Sequence, residues 1–214
     1  MFGIIGVYSI SLIALEIIKS NFQEKEIIYI DDNLSKLQTN IDGIYVETNL
    51  LGLEEKIKQG APINLAISFG EKLLRKRQEV FHRLSNYSNV DFPVLNHSTA
   101  IISNLASIDK GNIFSFGAII GHRTQLKSNS VFWSGVVVEH DCVIGESCYL
   151  SPNVTVSGFV KVGDCTLIGS GSTILPEVEI GRNCIIGAGS TVTKNIPDNS
   201  VVVGVPGKII RKCE

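Results

Sequence analysis

From Ile102 to Val192 an apolar residue falls on every sixth position without a break. The series runs Ile102, Ile108, Phe114, Ile120, Leu126, Phe132, Val138, Ile144, Leu150, Val156, Val162, Ile168, Ile174, Ile180, Ile186 and Val192. Only 44% of the chain is hydrophobic, so an unbroken run of this length is an imposed repeat. Period six belongs neither to a helix nor to a simple strand. It fits a solenoid in which one residue in six points inward and tight turns join short strands. Three hexads per coil make a left-handed parallel β-helix, with residues eighteen apart stacked in one column. Gly follows the apolar residue at 121, 145, 163, 169, 181 and 187, and the slot two before it is small at Ala118, Thr124, Thr166, Ser172 and Ser190. Cys142, Cys148 and Cys184 fill the same slot, and no CxxC pair occurs among the five cysteines, so they read as packing residues.

The first half has another grammar. Residues 1–6 read as a strand, Ser9 as a helix cap, and Ile10, Ile13, Ala14, Ile17 and Ile18 as one helical face. Residues 26–30 make a second strand, which gives a β-α-β unit. A short helix over 50–58, a strand over 63–69, a basic-faced helix over 71–84 and a last strand over 92–95 complete a small open parallel sheet, a Rossmann-like α/β domain. The boundary falls at Asn96 and His97, giving domains 1–97 and 98–214. From Asn199 the tail leaves the hexad frame and is expected to cap the last coil.

A net charge of −2 gives no footprint for nucleic acid or an acidic membrane. The start MFGIIGVYSISLIALEIIKS has no basic leading region and carries Glu16 early, so it reads as neither signal peptide nor anchor, and a cytoplasmic chain is expected.

The register sorts the histidines. His122 and His140 share a column with Gly158, Pro176 and Lys194, while His82 and His97 lie outside the coils. His140 stands between Glu139 and Asp141, and a neighbouring carboxylate raises the basicity of imidazole, as a general base requires. The alternative is a solvated polar turn. Zinc would need a third ligand beyond His122 and His140, from a carboxylate or another subunit, and no metal is expected. In the first half, Gly3-Ile4-Ile5-Gly6-Val7-Tyr8 joins strand to helix as a phosphate-cradling turn does, with Tyr8 where a dinucleotide fingerprint has its third glycine. Asp31 and Asp32, at the next strand's end, suit ribose hydroxyls or equally an Asx turn.

The stretch VVVEHDCVIGESCYLSPNVTVSGFVKVGDCTLIGSGSTILPEVEIGRNCIIGAGSTV, with the tail GVPGKIIRK, resembles bacterial hexapeptide-repeat sugar acetyltransferases of the sialic acid O-acetyltransferase and nucleotide 4-amino-sugar N-acetyltransferase type. The resemblance covers nearly the whole chain. It implies an acetyl-CoA-dependent enzyme of surface-glycan biosynthesis, with His140 as base, Asp141 as its partner, and Gly158 offering an N–H to the thioester carbonyl. Tyr149, Ser170 and Ala188 match the coenzyme A contacts, and the last two stack eighteen apart. Gly6, Val7, Asp31 and Asp32 match the sugar-nucleotide side. Trp133 replaces an asparagine usual before the catalytic hexad, and Val7 and Tyr8 depart from the usual glycine-rich turn. Family members are homotrimers with sites between subunits, and Tyr149, half a coil from His140, is expected to meet it only across subunits. N-acetylation of a nucleotide-linked 4-amino-4,6-dideoxyhexose is the leading expectation, and O-acetylation of a sialic or related nonulosonic acid is its neighbour. A zinc enzyme of γ-carbonic anhydrase type and a non-catalytic sugar-nucleotide scaffold are the alternatives from other classes.

Overall fold

A computed structural model describes residues 1–22 and 26–213, and the chain divides into two compact units, Met1–Leu95 and Asn96–Glu214. The first is an α/β unit. Strand β1 (Phe2–Ile5) leads into α1 (Ser9–Asn21), whose residues Ile10, Ile13, Ala14, Ile17 and Ile18 are all buried. β2 (Ile27–Ile30) lies parallel to β1, and β5 (Ile63–Ile67) flanks β1 on the other side. Between β2 and β5 come β3 (Asn40–Ile41), β4 (Ile44–Thr48) and α2 (Leu50–Lys58). α3 (Leu74–Leu84) precedes β6 (Val90–Asp91), and the sheet order is β3-β4-β2-β1-β5-β6.

Four local expectations are corrected. The cap of α1 is Tyr8, which makes no side-chain bond, and Ser9 is the first helical residue. The edge strand is Val90–Asp91, paired with Ile63 and Asn64, earlier than the expected 92–95. The hairpin β3–β4 was not expected, although Asp42-Gly43 is a two-residue turn signal and both residues have positive φ, 53° and 80°. Arg77 on the basic helix α3 is fully buried, its guanidinium bonded to the Ile67 carbonyl, so that face is not wholly solvated.

The second unit is a left-handed parallel β-helix of two-residue strands arranged in three faces. Coils pair at the eighteen-residue register, Val137 opposite Thr155 and Thr155 opposite Thr173. Inward residues from Phe114 to Val192 are at most 3% exposed, whereas Ile102 and Ile108 of the first coil are half-buried. Each fully buried side chain of this kind contributes about 1.5–3 kcal/mol. The glycine after the inward residue has a steric cause at Gly121: a β-carbon there would lie 2.7 Å from the Glu139–His140 peptide of the next coil.

The small slot is a hydrogen-bond ladder. Thr124, Thr166 and Ser172 donate hydroxyls to the carbonyls of Glu139, Gly181 and Gly187 at 2.7–2.9 Å. Cys142, Cys148 and Cys184 take the same position with thiols 3.1–3.3 Å from the carbonyls of Ser157, Gly163 and Pro197. Burial pushes the Cys142 and Cys148 thiols up to about 11 and about 12, which suits packing rather than redox chemistry.

The tail lies on the last coil, where Gly204 O accepts from Thr191 N at 3.1 Å and Gly207 N donates to Thr191 O at 2.8 Å. Ser200–Val203 continues one face by pairing parallel with Ile185–Ile186, and Lys208–Lys212 returns antiparallel along it with every residue exposed. Extending a sheet satisfies the backbone directly, and the alternation of the tail permits it. Glu214 lies outside the described residues.

Candidate active site

Three columns of turn residues, one at each corner of the β-helix, take the left-handed backbone conformation. One corner holds Gly117, Gly135, Asn153, Gly171 and Gly189, and another Gly111, Asn129, Ser147, Cys165 and Asn183. The third holds Arg123, Asp141, Phe159 and Glu177, with φ between 57° and 64°. Left-handed φ costs an ordinary side chain roughly 1–2 kcal/mol, so glycine and small polar residues are its usual occupants. Large and charged side chains occupy this position at the third corner alone of the three.

His140 sits beside this column. Its Nδ1 is 2.8 Å from Asp141 Oδ2, and the imidazole is 37% exposed against 19% for the carboxylate. The carboxylate can only accept, so Nδ1 carries the proton, and in the neutral ring Nε2 then holds the lone pair. Among the described residues, nothing is paired with Nε2. His122, one coil below, stacks its ring parallel at 5.3 Å, and Phe159 meets the imidazole edge-on at 5.2 Å while remaining 51% exposed. Gly158 lies above: a β-carbon on it would come 2.7 Å from Cε1 and 2.9 Å from Nε2. Its carbonyl accepts from Glu177 N at 3.1 Å, and among the described residues its N–H has no acceptor. Glu139, the other carboxylate beside His140 in sequence, is exposed, and its carbonyl serves Thr124. Of the two carboxylates beside it in sequence, Asp141 is the one hydrogen-bonded to the ring.

The sequence reading missed Arg123. Its Nε and one terminal nitrogen reach Asp141 Oδ1 and Oδ2 at 2.6 and 2.8 Å. The guanidinium first, and the imidazole second, hold the Asp141 carboxyl well below the usual carboxylate range. The signal was present, because Arg123 stands eighteen residues before Asp141. An open groove of about 370 Å³ passes Asp141, Phe159 and Glu177.

Ser170 and Ala188 are exposed and stacked, with Gly189 N donating to Ser170 O at 2.9 Å. Tyr149, by contrast, is 6% exposed and packs on Trp133, so within one chain its ring is not among the contacts of His140.

In the first unit, Gly6, Tyr8, Asp31, Asp32, Phe69 and Lys76 line a cavity of about 260 Å³. Gly6 has φ +89°, and a side chain there would strike the Phe69 ring at 2.8 Å. The carboxylates already have protein partners. Asp31 accepts from Val7 N and Asn33 N, both at 2.9 Å, and from Lys36 at 3.0 Å, so it forms an Asx turn and fills the anion position of the strand-to-helix turn itself. Asp32 accepts from Leu50 N at the start of α2 and pairs with Lys76 at 3.1 Å. Burial pushes the Asp31 carboxyl up, but the two N–H groups and Lys36 outweigh it and hold it below its ordinary value. A depressed carboxylate adds stability that is complete above its unfolded value of about 3.9 and is lost as pH falls through the folded value. Asp31→Asn is therefore expected to destabilise the first unit by about 1–3 kcal/mol at pH 7, and by progressively less below about pH 4. Urea melts at the two pH values check this, and equal stability at pH 7 would refute it.

The bacterial transferase hexapeptide (six repeats) family matches residues 123–158 and 159–194. A histidine-to-asparagine variant of perosamine N-acetyltransferase from Caulobacter crescentus, in complex with CoA and GDP-perosamine, superposes with a TM-score of 0.89 at 25% identity, over 99% of this chain and 97% of that one. The acetyltransferase domain of PglB from Neisseria gonorrhoeae FA1090 does so with 0.89 at 25% identity, over 98% of each chain. WeeI from Acinetobacter baumannii AYE shares the fold, with a TM-score of 0.72 at 23% identity over 98% of this chain and 99% of that one. No curated protein sequence matches.

The donor atoms of His122, His140 and Asp141 lie within 4.8 Å of one another. The ion pair with Arg123 and the bond to His140 engage both carboxylate oxygens, which leaves two imidazoles where a catalytic zinc needs three protein ligands. Among the described residues, no helix is long and apolar enough to cross a membrane.

Proposed function

We propose that this protein moves the acetyl group of acetyl-CoA to the amine of a nucleotide-linked amino sugar, of the 4-amino-4,6-dideoxyhexose type. The observation that carries the reading is the His140–Asp141 pair with Nε2 left for an incoming proton, beneath a glycine whose N–H has no acceptor among the described residues. The GDP-perosamine and CoA bound by the Caulobacter crescentus protein support both substrates.

The amine attacks the thioester carbonyl, and His140 Nε2 takes its proton as the C–N bond forms. Asp141 stabilises the imidazolium. Gly158 N–H is the donor assigned to the developing oxyanion, a contribution of about 3 kcal/mol to the barrier in comparable sites. On collapse the C–S bond breaks, and the proton held by His140 neutralises the departing thiolate. Ser170 and Ala188 are assigned to the pantetheine arm. Tyr149, 6% exposed and packed on Trp133, is assigned to the wall of that path from within its own chain. The first-unit cavity is assigned to the nucleotide, with Gly6 and Val7 shaping the turn. Asp31 and Asp32 hold that turn and α2 in place, a support role that takes up acceptors otherwise open to ribose.

A homotrimer is part of this reading. So is a cytoplasmic location, which agrees with five free cysteines.

A panel of acetyl acceptors tests the function. Turnover with UDP-, dTDP- or GDP-linked 4-amino sugars and none with sialic acids is expected. The reverse pattern would make the enzyme an O-acetyltransferase, and no coenzyme A binding by calorimetry would leave a scaffold.

A further inference from the structure

The coil beneath the proposed base repeats its layout: His122 lies under His140, and Arg123 under Asp141, with Asp141 N donating to His122 O at 3.0 Å. We propose that Arg123 is a positioning residue for acetyl transfer, its guanidinium fork fixing the plane of the Asp141 carboxylate so that His140 keeps its proton on Nδ1 and presents Nε2. The inference rests on the reading of His140 as the base.

A carboxylate bonded only to an imidazole can turn about its Cβ–Cγ bond, and each turn releases Nδ1 and lets the ring change tautomer or orientation. Arg123 stops this rotation because it binds both oxygens, at 2.6 and 2.8 Å. Oδ2 then serves the guanidinium and the imidazole together. Other charge pairs on the same β-helix lack this form. Arg182 directs both guanidinium nitrogens at a single oxygen of Asp198, at 3.1 and 3.4 Å, and Lys161 meets Glu179 through one contact at 2.6 Å. Among the described residues, neither Asp198 nor Glu179 is bonded to a histidine. The Asp141 carboxylate is also the least exposed of the three, at 19% against 45% and 54%. Arg123 itself holds a left-handed turn, φ 57°, where two other corners place mainly glycine and small residues. Lysine could supply the charge but not the planar fork.

The test compares Arg123→Ala, Arg123→Gln and Arg123→Lys with the wild type in the full-length enzyme. The Ala and Gln variants should lose about 10- to 100-fold in kcat with KM for both substrates little changed, the usual cost of removing a group that orients a reacting one. Lys should recover part of the loss, and added guanidinium chloride at millimolar concentration should raise turnover of the Ala variant but not of the wild type. Nitrogen-15 NMR of the imidazoles, with the His140 signal assigned by its absence in His140→Asn, should show Nδ1 protonated in the wild type and mixed tautomers in Arg123→Ala. Arg182→Ala, which removes a comparable exposed pair, should leave turnover unchanged. Wild-type kcat in Arg123→Ala with the tautomer preserved would overturn the proposal. So would a loss of kcat with an unchanged tautomer and no rescue by guanidinium. The tautomer measurement needs no substrate, so it tests Arg123 even if His140→Asn should keep its turnover and remove the imidazole from the mechanism.

Discussion

His140→Ala should lower acetyl-transfer turnover by about 10²- to 10⁴-fold while leaving coenzyme A binding intact. The proton of the attacking amine then has no acceptor at the reacting centre, and of the groups around the ring none substitutes: Asp141 is engaged by Arg123, and His122 lies one coil away. The variant also removes the ring packed beneath Gly158, so His140→Asn serves as a second variant that keeps polarity and part of the volume. Steady-state kinetics and calorimetry with coenzyme A separate the two effects. If turnover survives in both variants, the base is elsewhere and the role of Asp141 falls with it.

Gly158→Ala should cost about 100-fold in kcat, close to the loss at His140 itself, although the substitution adds one methyl group. That methyl would arrive 2.7 Å from Cε1 and 2.9 Å from Nε2 of an imidazole that has little freedom to move. His122 stacks below the ring, Phe159 meets its edge, and Asp141 holds Nδ1. The ring can yield only by giving up the bond to Asp141 or by tilting Nε2 away from the substrate. Overpacking of this kind costs about 1–3 kcal/mol of stability, so a small drop in melting temperature should accompany the kinetic loss. A variant with wild-type kcat would mean that the ring relaxes freely and that the Gly158 column is not part of the reacting geometry.

Much of this was legible in the sequence because the β-helix is close to one-dimensional. One inward residue in six, from Ile102 to Val192, set the coil length, and coil length alone placed His122 under His140 and Ser170 under Ala188. The small slot was equally legible at Thr124 and Cys148, since only small side chains fit beside the inward residue. Other features were legible and passed over. Asp42-Gly43 announced the hairpin β3–β4, and Arg123 stood one coil below Asp141.

The remaining features have no local signature. Asp31 and Asp32 looked like acceptors for a ligand, but Val7, Asn33, Lys36, Leu50 and Lys76 converge on them from distant parts of the chain. Arg77 belongs to the basic helix α3 by sequence, yet its guanidinium is bonded to the carbonyl of Ile67 in the interior. By spacing alone Glu139 and Asp141 stand equally on either side of His140, and the turn conformation brings Asp141, the partner that the resemblance implied, onto the ring.

The sequence by itself therefore determined the two folds and the stacking register, because burying apolar side chains at a fixed period is a repeated local requirement. The tertiary structure alone decided which charged and polar groups are spoken for. A side chain's role in that respect depends on donors brought up from other coils and strands, at distances of about 3 Å that periodicity does not encode.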